Sequence, residues 1–420
     1  MVVENEAAPA DGRVWSEAEA LRDRGLQVTI ISPKGPTKYR EPHVCLNGIH
    51  IYRYNLSSGH TSTAYLAEYG TALLMTFLLS LKVLFLHGFD VIHVANPPDI
   101  FFLLGLFYRP LGIKFVFDQH DLAPELFKVV FKDHGNRYVM RLLCNVLLLF
   151  ERWSYRTANL VIVTNASYGR IAMRRGKCPD DKVFIVRNGP DPHLLKPTQP
   201  EPELKMGRRY LLAYIGVMGP QDGVEYALYA LHSLVHARKR RDVSLVLMGD
   251  GISAPNLRTL AHDLQLYDYV TFTGWTQPKD IVRYLAAADI GLSPDPSNEL
   301  NESSTMIKTM EYMAMGKPVV AFDLTETRFS AQEAGLYATP NIVEDFANKI
   351  EDLLDNEDMR RKMGMLGRKR IEEALSWDHS KEQLLLAYAK LLHECFDHPD
   401  TDVDEPTMAS VLVIGSSVPD

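Results

Sequence analysis

Twice along this chain, short β-branched or aromatic runs alternate with helical stretches, and a cluster of prolines separates the two series. Such alternation has few stable solutions: the strands pair in parallel and helices cover both faces of each sheet. The first series reads as strands at Val28–Ser32, Ile49–Tyr52, Val91–Val94, Phe115–Phe117, Leu160–Thr164 and Val183–Val186. Its first helix, Trp15–Arg24, is stopped by Gly25. The second series reads as strands at Leu211–Ile215, Ser244–Met248, Tyr269–Phe272, Asp289–Leu292 and Pro318–Ala321. Helices at Ile342–Asp355, Asp358–Glu373 and Trp377–Cys395 complete it. Pro190, Pro192, Pro197, Pro200 and Pro202 mark the boundary. The expected fold is α/β, with two doubly wound, Rossmann-like domains facing across a cleft.

The expected division is a first domain over 1–190, a linker over 191–208 and a second domain over 209–376. A terminal helix over 377–396 returns to the first domain, and an acidic, disordered tail fills 397–420. Met1-Val2-Val3 is short for an opening strand, so the natural chain is expected to begin upstream. In a doubly wound sheet, ligands meet the carboxyl ends of the strands, so those ends hold the candidate residues.

Charge divides unevenly. The net charge is −8, with +5 in residues 1–198 and −13 in the remainder. A basic first half fits an anionic acceptor or membrane face; the alternative is chance plus an acidic tail. Nothing in the pattern indicates nucleic acid. Cys45, Cys144, Cys178 and Cys395 are far apart and lack metal-ligand spacing, which points to reduced thiols and no zinc site. Acidic residues Glu4, Glu6 and Asp11 spoil a signal peptide, and the expected location is cytoplasmic. Two apolar stretches, Thr71–Phe89 and Tyr138–Trp153, carry isolated Lys82, His87, Arg141 and Arg152. Each fits a core helix, or a helix lying on the cytoplasmic face of a membrane.

The richest local chemistry lies in Asn301–Val320, which reads as a loop, a helix opening on Ser303-Ser304-Thr305, a stop at Gly316 and a buried strand. A helix N-terminus offers unpaired N–H groups and partial positive charge, which suit a phosphate. Lys308 adds a full charge. Glu311, three residues on, shares its face and can accept hydrogen bonds from sugar hydroxyls. An ordinary helix cap with a solvated ion pair would read the same way.

After a polar loop, Glu311-Tyr-Met-Ala-Met-Gly-Lys-Pro-Val-Val320 resembles the donor-site signature of GT-B-fold glycosyltransferases of family 4. The likeness runs from Asp11-Gly12-Arg13-Val14-Trp15 to Trp377 and is strongest between Tyr210 and Tyr337. Its nearest segments belong to bacterial surface-polysaccharide transferases. The resemblance implies retaining transfer of a sugar from a nucleotide diphosphate donor to an acceptor hydroxyl. It implies no metal and no cofactor, with UDP-sugars favoured over GDP-sugars. The implied acceptor is a saccharide or lipid-linked saccharide.

Residue by residue, the resemblance implies ribose binding by Glu311, phosphate binding by Lys308, and His120 beside the transferred sugar. Donor contacts are expected from Gly12, the glycine turn Gly216–Gly219, Gly249-Asp250-Gly251, Gly274, and Glu302 with Ser303, Ser304 and Thr305. Arg13, Asn96, Asp121 and Glu125 are the acceptor-side candidates. Trp275 either stacks on the base or packs in the core. Two departures stand out. The family's Arg and Lys after the first strand of the second domain are replaced by Val217 or Met218 and by Asp222, which shifts phosphate neutralisation onto Lys308 and Arg328. The first glutamate of the family's pair falls at Ser303, beside Glu302. Other expectations that stay open are a sugar-nucleotide 2-epimerase and a non-catalytic nucleotide-sugar-binding subunit. Asp-x-Asp pairs at 400–404 belong to the tail rather than to a metal site.

Overall fold

The computed structural model describes residues 1–35, 37–56, 62–131 and 137–393; for 62–66 it describes the backbone alone. The tail, its Asp-x-Asp pairs and Cys395 lie outside the described residues.

Seven strands build the first domain: β1 Thr29–Pro33, β2 His43–Leu46, β3 Ile49–Tyr54, β4 Val91–Ala95, β5 Lys114–Gln119, β6 Leu160–Val163 and β7 Val183–Ile185. They form two pieces, ordered β1-β3-β2 and β4-β5-β6-β7. Val2 joins them, bridging Ile31 on one side and Val94 on the other. Its N–H donates to His93 O at 2.8 Å, and its carbonyl accepts from Ala95 N at 3.0 Å. The short opening segment therefore lies at the centre of one continuous sheet. The Met1 ammonium donates to Thr29 O at 2.6 Å, and burial lowers its pKa to about 5.

The second domain has six parallel strands: β8 Tyr210–Ile215, β9 Val243–Met248, β10 Val270–Gly274, β11 Ile290–Ser293, β12 Val319–Phe322 and β13 Gly335–Ala338. Their order is β10-β9-β8-β11-β12-β13. Among the described residues, both expected doubly wound α/β domains are present.

Two strands were not expected. β2 is an edge strand whose residues alternate between exposed and half-buried, so it lacks the apolar run that identifies the others. Its turn, Asn47-Gly48, has positive φ at both positions, the usual sign of a two-residue hairpin. β13 is four residues long, half-buried, and opens on glycine.

Helix Trp377–Leu392 crosses back. Leu384, Ala387, Tyr388 and Leu391 pack in one apolar cluster with Val3, Val14, Ala18, Leu21 and Ile30 of the first domain. The crossover is tight at Gly189, where a Cβ would collide with the Leu375 carbonyl.

Candidate active site

The second-domain half of the cleft is built around helix Ile307–Ala314. Tyr312 anchors it: its hydroxyl accepts from Ile215 N and donates to Leu292 O, both at 3.0 Å. Its ring rests where any side chain at Gly291 would be. Ser303, Ser304 and Thr305 precede the helix instead of capping it, because Met306 is the N-cap and no side chain caps it. The three serve another purpose. Asn165 Nδ2 of the first domain donates to Ser303 O at 2.9 Å and to Thr305 Oγ1 at 3.0 Å. The Tyr168 hydroxyl pairs with Ser304 Oγ at 3.0 Å. Glu326 strengthens the same seam, accepting from Ser167 N and Oγ at 3.1 and 2.5 Å. The expected phosphate loop is thus also the fastening between domains. Asn165 and Tyr168 were missed; their only signal is their place after the end of β6.

Glu302 does not face a donor sugar in this geometry. Its carboxylate accepts from Ser297 Oγ at 2.6 Å and from Thr325 Oγ1 at 3.3 Å, next to the helix Thr325–Ala331. Arg328 is exposed and held by Asp323 with two 2.6 Å bonds, so it is not a phosphate ligand here.

Lys308 is buried, with Nζ 2.5 Å from Asp295 Oδ1 and 3.7 Å from Asp222 Oδ1. Burial alone would lower its pKa, but the two carboxylates outweigh that and raise it. Glu311 is half-buried, and among the described residues no hydrogen bond to its carboxylate is formed. Burial raises its pKa to about 7, opposed by Lys308. A carboxylate kept partly out of water without a donor is costly. It therefore stands ready for a hydroxyl ligand.

The glycine turns pack against one another. A Cβ at Gly249 would collide with the Gly216 carbonyl, and φ is +133° at Gly249 and +146° at Gly216. The N–H groups of Gly216 and Met218 donate to Met248 O and Asp250 O at 3.0 and 2.9 Å. Gly219 N donates to Asp222 Oδ2 at 2.9 Å. The expectation that this turn offers a row of N–H groups to phosphate is therefore corrected, since three of them are already spent. Asp250 Oδ1 accepts from Gly251 N at 2.8 Å. The Gly274 carbonyl accepts from Gly249 N at 3.0 Å. Trp275 is 74% exposed, which removes the core alternative.

The first-domain half centres on Asp118, His120 and Arg13. Asp118 is the penultimate residue of β5 with His120 two residues on, and His120 Nε2 lies 2.6 Å from Asp118 Oδ2. Arg13 Nε lies 3.1 Å from the same nitrogen and 3.4 Å from Asp118 Oδ2. When Nε2–H donates to the carboxylate, the Arg13 Nε–H is left to Asp118, and Nδ1 has no hydrogen bond among the described residues. Arg13 NH2 reaches Asp118 Oδ1 at 2.9 Å and Glu17 Oε1 at 3.1 Å, and NH1 donates to Val186 O at 2.8 Å. Arg13 is buried and fully engaged, so the acceptor contact expected of it gives way to a positioning role.

Burial would raise the Asp118 pKa, but Arg13 and His120 hold it well below the usual range. Glu17 goes the other way. Burial and then Asp118 push it well up, while Arg13 NH2, 3.1 Å from Oε1, opposes the rise. Glu17, His93 and Asp118 have one ligand atom each within 4.8 Å of one another, but Arg13 already bridges both carboxylates. A metal cation there would meet a guanidinium.

Two other acceptor-side candidates are structural. Asn96 Oδ1 accepts from His120 N and Asp121 N at 2.6 and 3.1 Å, while Nδ2 donates to Asp99 Oδ1 and Asp121 O, both at 2.8 Å. Its amide holds the His120 turn and has nothing left for an acceptor. Glu125 is buried against Arg175, with Oε1 2.5 Å from NH2. Asp121 differs. It is half-buried, its carboxylate has no hydrogen-bond partner among the described residues, and burial raises its pKa. Gly12 opens the helix Gly12–Asp23, capped by Asp11 through Val14 N at 2.9 Å. Nothing lies within 4 Å of where its Cβ would be, which leaves room for a close ligand.

Both halves match families of known proteins. Residues 12–189 match the "Glycosyl transferase 4-like domain" and residues 209–356 match "Glycosyl transferases group 1". Together these take in more than three quarters of the chain. The chain belongs to the group 1 glycosyltransferases of GT-B fold.

Among its relatives is a GDP-mannose-dependent alpha-(1-6)-phosphatidylinositol monomannoside mannosyltransferase of Mycobacterium tuberculosis. It is 28% identical over 179 residues, which cover 41% of this chain and 46% of that protein. The chain spans 39% to 65% of the length of the curated relatives it matches. The fold is that of sucrose-phosphate synthase from Thermosynechococcus elongatus (TM-score 0.72, 19% identity, 93% and 96% coverage). Anabaena HepE, solved with UDP-glucose, shares it too (TM-score 0.68, 16% identity, 93% and 98% coverage).

Proposed function

We propose that this protein is a retaining glycosyltransferase that moves a sugar from a nucleotide diphosphate donor to an acceptor hydroxyl. The observation that carries the reading is Glu311, a half-buried carboxylate with no hydrogen bond among the described residues, one helical turn from Lys308. It lies in a chain whose two halves each match a glycosyltransferase family. Glu311 would accept from the ribose hydroxyls. The N-terminus of helix Ile307–Ala314, with Lys308, would face the diphosphate, whose oxygen gains charge as the sugar leaves. His120 Nδ1 and Asp121 would face the transferred sugar and the acceptor. UDP is the favoured base, in line with the HepE complex, and GDP is the competitor, in line with the mycobacterial relative.

The acceptor is proposed to be a lipid-linked saccharide in bacterial surface-glycan synthesis, with the protein on the cytoplasmic face of an anionic membrane. Support comes from one apolar face. Residues 67–86 form a helix long and apolar enough to cross a membrane, of which 22% is buried. Leu74, Leu78 and Phe85 on that helix, Leu106, Phe107 and Leu111 beside it, and Leu142 and Trp153 on helix Arg137–Thr157 are all exposed. Lys82, Arg109, Arg141 and Arg152 are exposed among them, which suits anionic headgroups. Free thiols at Cys45, Cys144 and Cys178 fit a reducing compartment.

The deciding experiment is calorimetric titration of UDP, GDP, ADP and CMP, repeated with Glu311→Gln. Tight binding of one diphosphate, lost in the variant, supports the donor site. Binding by none would favour a subunit without turnover, a second reading that the spent charge of Lys308 also favours. Sedimentation with phosphatidylglycerol vesicles tests the membrane face. Dimerisation without vesicle binding would assign that face to a second copy of the chain.

A further inference from the structure

Lys308 is one cation between two acids. Asp295, which also accepts from Ser293 Oγ at 2.5 Å, is buried and holds Nζ at 2.5 Å. Asp222 is half-buried, holds Nζ more loosely at 3.7 Å, and uses its other oxygen to accept from Gly219 N. Nζ also lies 5.3 Å from the centre of the Tyr214 ring. The group therefore carries an excess negative charge at the place where the donor reading, on which this inference rests, puts a diphosphate. An anion brought there is repelled unless one carboxylate is neutralised, and in a partly dry site that repulsion is large.

Of the two acids, Asp222 is the one that can yield. Its hold on Lys308 is longer, and its Gly219 contact keeps the carboxyl in place whether or not it is ionised. We propose that Asp222 sets donor affinity by taking up a proton as the donor binds, which releases its share of the Lys308 ammonium to the phosphates. The proton comes from solvent, and Lys308 stays charged throughout.

Burial already raises the pKa of Asp222 to about 6, with Asp295 adding to the rise and Lys308 opposing it. An incoming anion can only raise it further. The charged and titratable groups around it are Lys308 and Glu311 from helix Ile307–Ala314, and Asp295 from the loop after β11. Tyr214 from β8 and Glu225 at the start of the following helix complete the surroundings. The sign follows. Above about pH 6 the free protein has Asp222 ionised and the complex has it protonated, so affinity falls as pH rises. Below pH 6 both are protonated and the slope vanishes.

The test uses UDP-glucose and GDP-mannose, whose esterified diphosphates keep a constant charge over this range. They are titrated into the full chain between pH 5.5 and 8, in two buffers of different ionisation heat. The expected result is uptake of roughly one proton and an affinity that falls by up to about tenfold per pH unit above pH 6. Asp222→Asn should bind up to about a hundredfold tighter at pH 8 with the slope gone, and Asp222→Glu should restore the slope. No proton uptake by the wild type, or an unchanged slope in Asp222→Asn, overturns the proposal and leaves the donor site standing. Failure of both sugar nucleotides to bind at any pH sinks the donor-site reading, and this proposal with it.

Discussion

The two halves of the cleft spend their charges differently. In the first domain, Arg13, Glu17, Asp118 and His120 form a buried and almost fully compensated group. In the second, Glu311 has no partner among the described residues, and Lys308 is shared between two acids. The first half is built to hold one geometry, and the second to trade partners when a ligand arrives. Buried groups satisfied on all sides give rigidity, whereas a shared cation is a place where an incoming anion changes the balance.

Four substitutions and one titration would break or sharpen that comparison. The largest effect is expected for Asp118→Ala, which leaves Arg13 buried without its main partner. It should cost about 3–5 kcal/mol of stability by chemical denaturation. A loss below about 1 kcal/mol would mean that the group is not the rigid half. Asn165→Ala should cost about 1–3 kcal/mol and lower turnover as well, because it unfastens the Ser303–Thr305 loop from the first domain. Turnover unchanged would separate the seam from the donor site.

Next comes pH. Burial raises Asp99 to about 8, and Glu4 and Glu151 to about 7. These groups bind protons more tightly folded than unfolded. Their contribution is complete below roughly pH 4, the unfolded carboxylate range, and is lost as pH rises through 7 to 8. The melting temperature should fall between pH 6 and pH 8.5, and a rise would contradict it. Smaller still, Glu302→Gln should leave donor affinity within about twofold, since its carboxylate serves Ser297 and Thr325. Arg328→Ala should change stability by no more than about 1 kcal/mol and leave donor affinity unchanged. A large affinity loss in either would return that residue to the cleft.

The architecture was legible because β8, β9, β11 and β12 are mostly apolar runs buried on both sides. The helix after Thr305 and its stop at Gly316 were legible too, since helix and stop are adjacent in the chain, whereas the anchoring role of Tyr312 was not. The first-domain site was not. Arg13, Glu17, His93, Asp118 and Tyr388 are scattered over most of the sequence, and only folding brings them within bonding distance. A local reading therefore took Arg13 and Asn96 for acceptor ligands when they are braces. The hydroxyl run Ser303–Thr305 misled in the opposite way: its helix-cap pattern is common, but its partners come from Asn165 and Tyr168, more than a hundred residues away. Glycine turns carried the same ambiguity, because backbone packing and phosphate approach both demand a missing Cβ.

The Tyr388 hydroxyl sits 2.8 Å from His93 Nδ1, and this places a limit on how the molecule can be made. Among the described residues, the apolar strip under the first helix is closed by residues 377–392, which are synthesised after the whole second domain. A chain emerging from the ribosome can thus complete its second domain first, while the first waits with one wall open. Order of synthesis and order of completion run in opposite directions in this protein.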